Sequence, residues 1–162
     1  MIKVKHSLLI FLAGALWLII GIFLMTLGIR FLLNQFHALL PPSHFSLLQF
    51  LQLFVSSKQQ ALGTVLTLAL FIGYLKGRFA LTRSVERQVK RISELPEPAS
   101  LAYLYSKGYY FLIGGMILLG MLIRFLPIAL DTRGAIDVAI GFALINGAAQ
   151  YFRLAFTRKT LA

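Results

Sequence analysis

Residues 76–107 read KGRFALTRSVERQVKRISELPEPASLAYLYSK. The basic positions are Lys76, Arg78, Arg83, Arg87, Lys90, Arg91 and Lys107. The acidic ones are Glu86, Glu94 and Glu97, the last set between two prolines. On both sides the chain is almost wholly apolar, with two hydrophobic spans before this stretch and two after it. Basic residues resist passage through a bilayer. The stretch is therefore expected to stay in the cytoplasm and to fix the orientation of all four spans.

Composition sets the class. Apolar residues make up 59% of the 162 and charged residues 13%, too little charge for the surface of a soluble domain of this length. One membrane domain over 1–162 is expected. The formal net charge of +11 does not point to nucleic acid, because the basic residues flank apolar spans. The chain has no cysteine, which removes disulfides, thiol catalysis and thiolate metal sites.

The spans fall at about 7–33, 61–79, 108–130 and 135–153. The first follows a basic, signal-like start, but its apolar run continues to Ile29 without a charge. That is too long for a typical signal peptide, so the reading is an uncleaved span. Lys3, Lys5, the seven basic residues of 76–107, Arg153, Arg158 and Lys159 then lie on one side, and Arg30, Lys58, Arg124 and Arg133 on the other. Twelve against four places both termini in the cytoplasm. All six tyrosines, Tyr74, Tyr103, Tyr105, Tyr109, Tyr110 and Tyr151, fall near that same interface. A bacterial plasma (inner) membrane is the expected location.

The first outer loop, about 34–60, holds an apolar segment too short to span. Pro41 and Pro42 break the preceding helix, and Ser43 or Ser46 can cap a new one. An interfacial helix, a re-entrant helix and a cap over the outer face are all compatible with it. In the central stretch Leu81, Val85, Val89, Ile92 and Leu95 recur at helical spacing, with Arg83, Arg87, Lys90 and Arg91 opposite. Two readings stand. One is an amphipathic helix lying on anionic lipid headgroups. The other is a cytoplasmic extension of span two whose charges set topology.

The halves of the chain resemble each other. GIFLMTLGIRFL at 21–32 aligns with GMILLGMLIRFL at 115–126, and RFALTR at 78–83 with RLAFTR at 153–158. Two tandem hairpin repeats in parallel are expected, related by a pseudo-two-fold along the membrane normal. Small residues mark packing faces: Gly14, Gly21 and Gly28 on span one, Ala69, Gly73 and Gly77 on span two, Ala139, Ala143 and Gly147 on span four. They serve packing inside one chain or, in addition, a homo-oligomer seam.

The chemistry of the spans is sparse. No nucleophile motif, paired carboxylates, phosphate-cradling loop or metal-ligand spacing is present, so the chain is read as no enzyme and as needing no cofactor. Asn146 sits mid-span, where an unpaired amide is costly, and is expected to hydrogen-bond to another helix. Trp17 is read as core bulk or as lipid-facing. Arg30, Arg124, Asp131, Arg133 and Asp137 form a candidate outer charge cluster. It is either a salt-bridge clamp on spans one, three and four or an anion-attracting vestibule. The leading functional expectation is an accessory or interaction component with a lipid or membrane-protein partner. The alternative is a small channel or transporter protomer acting as a homo-oligomer.

Overall fold

The computed structural model describes residues 3–4, 6–38, 44–94, 99–100, 114, 118, 122–123 and 125–161. The expected third span, about 108–130, lies largely outside them. The described chain is helical, apart from two-residue strands β1 (Lys3–Val4) and β2 (Ala99–Ser100), which pair antiparallel. The helices are α1 (His6–His37), α2 (Leu47–Leu51), α3 (Lys58–Leu75), α4 (Thr82–Ser93) and α5 (Leu130–Leu161). A π-helical segment, Lys76–Leu81, joins α3 to α4.

Three stretches are long and apolar enough to cross a membrane: His6–His37, Lys58–Ser93 and Leu130–Thr157. At 1.5 Å per residue the 32 residues of α1 extend about 48 Å, more than the ~30 Å of a hydrocarbon core. Helix α5 starts earlier and ends later than the 135–153 expected. Midway along α1 large side chains face outward and glycines inward. Ile19 and Phe23 are each 64% exposed, while Gly14, Gly21 and Gly28 are buried. This inverts the soluble pattern and suits lipid, where close backbone approach drives association.

Helix α5 is the centre. Its glycines meet those of α1 in antiparallel register. A methyl on Gly28 would sit 2.5 Å from the Gly134 carbonyl oxygen, and one on Gly21 2.8 Å from that of Gly141. No side chain fits between these backbones. On its other side α5 meets α3 in parallel: Gly73 packs on Ala139 and Phe142, and Gly77 on Ala143 and Asn146. The small-residue faces read from the sequence are thus used within the chain.

The π-segment has a reason in the sequence. Ala61, Val65, Ala69, Gly73 and Gly77 form a buried row with a spacing of four. In an α-helix each such step drifts about 40° around the axis. The row continues as Val85, Val89 and Ile92, also buried. A π-turn takes in one more residue per turn and sets the phase back by about 100°, so both rows face the bundle.

Two apolar clusters result. One joins Leu9, Ile10 and Ala13 of α1 to Val85, Val89 and Ile92 of α4 and to Ala148 and Tyr151 of α5. The other, towards the α2 end, joins Leu32, Leu48, Val65, Ala135 and Val138. Trp17 is core: it is buried, and its ring lies 5.7 Å from that of Tyr151. Tyr151 is 0% exposed. It is therefore packed in the core rather than turned towards lipid or water. Tyr103, Tyr105, Tyr109 and Tyr110 lie outside the described residues.

Candidate functional site

At one end of the bundle the first turn of α5 holds the chain between α1 and α3. Asp131 is 0% exposed. Its Oδ2 accepts from the Ser46 hydroxyl at 2.9 Å and from the Leu48 amide at 2.8 Å. Thr132 Oγ1 accepts from the Leu47 amide and donates to the Phe45 carbonyl, each at 3.2 Å. The Ala129 amide donates to that same carbonyl at 2.9 Å, within a parallel bridge of Phe45 and Ile128. Ser46, the N-cap of α2, also accepts from the Gln49 amide at 3.2 Å. The early amides of α2, which no helix can satisfy by itself, all have acceptors. The short helix thereby seals the end of the bundle, with Leu48 buried beneath it and Phe50 and Phe54 facing out.

The described members of the expected charge cluster have distinct surroundings. Asp131 bonds to a hydroxyl and a backbone amide, not to an arginine among the described residues, and its Oδ1 has no hydrogen-bond partner. Arg30 is exposed on α1. Arg133 is half-buried and donates Nη2 to the Leu126 carbonyl at 3.3 Å. Asp137 is half-buried and also engaged. Arg124 lies outside the described residues. The sequence named Asp131 and the Ser46 cap separately. It held no sign that they meet, because Ser46 and Asp131 lie 85 positions apart.

Deeper in the bundle the expected polar contact moves. Asn146 Nδ2 donates to the Phe142 carbonyl of its own helix at 2.8 Å, and among the described residues it bonds to no other helix. Its Cβ lies against Gly77, and an amide in that tight seam can reach its own preceding turn. The interhelical bond belongs instead to Gln150, whose Nε2 donates to Thr82 Oγ1 at 2.7 Å. That hydroxyl in turn donates to the Arg78 carbonyl within the π-segment.

The opposite end is basic. Arg83, Arg87 and Lys90 of α4 are exposed and Arg91 is half-buried. Val85 and Ile92 are 0% exposed, so the apolar stripe of α4 is covered by α1 and α5. The stripe is used against protein, and only the basic face looks outward. No group of three or more His, Asp or Glu among the described residues could hold a metal.

These features define a helical membrane protein with a sealed apolar end and a basic end. No protein family, curated protein or solved structure matches the chain.

Proposed function

We propose that this protein is a non-enzymatic, multi-pass membrane component, an accessory or interaction subunit, that docks through the basic face of α4. The observation that carries this reading is the division of α4: Val85, Val89 and Ile92 are buried in the bundle while Arg83, Arg87 and Lys90 point out. A charged face held on a packed helix is preorganised for an acidic surface, because its ordering cost is met in folding.

Several contacts support the finer architecture. Helices α3 and α5 run parallel, so chain leaving the basic end after α4 returns to the far end before α5. That course supports a fourth span and two tandem hairpins. The pairing of Lys3–Val4 with Ala99–Ser100 and the bond from Ser7 Oγ to the Ala155 carbonyl at 3.3 Å bring the start of the chain, the region after α4 and the end of α5 together. Of the twelve basic residues counted on one side in the sequence, six lie in the π-segment and α4, and the others lie near the chain start, after α4 or near the end of α5. Both termini are accordingly proposed to be cytoplasmic, in a bacterial inner membrane.

A photo-crosslinking residue at position 87, with a second at position 23 on the exposed face of α1, tests the reading in cells. A discrete protein adduct is expected at 87, lost when Arg83 and Lys90 become glutamine, and none at 23. Lipid adducts alone at both positions contradict it.

A further inference from the structure

A groove of about 550 Å³ runs between α3 and α5, within the roughly 300–1,000 Å³ of small-molecule sites. Its walls include Leu68 and Ile72 of α3 and Ile136 and Ile140 of α5. Leu51 of α2 stands towards one end and Lys76 towards the other, the only charged lining residue among those described. We infer that this groove takes the acyl chain of an anionic phospholipid, with Lys76 on its phosphate.

Three observations point to this occupant. The walls are aliphatic along the length and cationic at one end, which is the complement of an anionic amphiphile. The groove also lies at hydrocarbon depth: Ala69 and Ala139, both in its lining, stand several turns inside the stretches Lys58–Ser93 and Leu130–Thr157, which are long and apolar enough to cross a membrane. Around it Leu68, Phe71 and Ile72 are 49%, 58% and 49% exposed, so what reaches the mouth is lipid rather than a water-borne solute. The lysine is also positioned by the backbone. The next residue, Gly77, is wedged against Ala143 and Asn146. This fixes the Lys76 Cα beside α5, where its stem can follow the apolar wall and its ammonium can reach the headgroup layer. The inference rests on the membrane-spanning reading but not on the proposed partner of α4.

The test uses the full chain in detergent, titrated with dioleoylphosphatidylglycerol or with dioleoylphosphatidylcholine. Thermal stability and retained lipid are read by melting curves and native mass spectrometry. Phosphatidylglycerol is expected to raise Tm and to be retained in preference to phosphatidylcholine. Lys76→Gln is expected to weaken its apparent affinity about fivefold, and Arg153→Gln, a change at an exposed residue, to leave it unchanged. Ile140→Trp, which fills the groove, should abolish retention while circular dichroism stays unaltered. Equal retention by all these variants overturns the inference. So does a disulfide that forms fully between Ala139→Cys and a cysteine placed within 113–121, because the chain's own segment then occupies the groove. An acidic partner lost from α4 with lipid binding intact tells against the proposed function alone.

Discussion

The Leu48 amide donates to Oδ2 of Asp131 at 2.8 Å, across 83 positions of sequence. The first turn of the last helix thus completes the N-terminus of the shortest one. The same oxygen takes the Ser46 hydroxyl, so one carboxylate fixes the segment that carries α2 to the central helix.

Replacing Asp131 with alanine strands the Leu48 amide and the Ser46 hydroxyl in a buried place. Each orphaned group costs about 1–3 kcal/mol, so Tm in detergent should fall by many degrees. Asp131→Asn keeps an acceptor oxygen and should fall less. Melting curves of the two variants check this; an unchanged Tm for Asp131→Ala contradicts the capping role.

The glycine seam gives a second expectation. Gly28→Ala places a methyl against the Gly134 carbonyl and should destabilise the protein by roughly 1–3 kcal/mol through forced separation of α1 and α5. Gly63 has no atom within 4 Å of such a methyl. Gly63→Ala should therefore stabilise by about 0.5–1 kcal/mol, the usual helix-interior difference. Chemical denaturation of both variants reads the contrast.

The polar contact at the π-segment gives a third. Thr82→Val removes the acceptor for Gln150 and should cost about 0.6–2 kcal/mol, the range for hydrogen bonds between helices in membranes. Among the described residues Asn146→Leu removes only a bond within its own helix, so a larger loss is expected to come from crowding at Gly77. The variant Asn146→Ala, free of crowding, should lie within about 0.5 kcal/mol of the parent.

Helix α4 separates docked from lipid-laid geometry. Ile92→Ala should cost about 2–5 kcal/mol, as for a core residue. The triple change Arg83→Gln, Arg87→Gln and Lys90→Gln should stay within about 0.5 kcal/mol, as for surface residues. Little loss in detergent for Ile92→Ala would mean that the stripe is not part of the core.

Much of this architecture was legible in local pattern. Long uncharged runs marked the helices able to cross a membrane, Ser43 or Ser46 after the proline pair marked a cap, and Gly14, Gly21 and Gly28 marked a packing face. Which helix meets that face was not legible, because every apolar span offers lipid-like surface and the choice lies in backbone approach at Gly134 and Gly141. The π-segment was hidden for a related reason: a row spaced by four reads as continuous until its drift is summed from Ala61 to Ile92. Asn146 misled because depth alone says that an amide needs a partner, not that its own preceding carbonyl will serve. Asp131 looked like a member of an arginine cluster because charges suggest charges. Its hydrogen-bond partners among the described residues are a hydroxyl and a backbone amide, and neither leaves a mark in composition.

The central claim is a bundle whose basic end, with α4 and both termini, lies in the cytoplasm, and whose sealed α2 end lies on the other side. The chain has no native cysteine, so single cysteines can be placed at the exposed positions Ser56, Glu94 and Pro127 and treated with a membrane-impermeant maleimide in intact cells. The account predicts labelling of Ser56→Cys and Pro127→Cys without permeabilisation and of Glu94→Cys only after it. Labelling of Glu94→Cys in intact cells, or protection of Ser56→Cys, contradicts it.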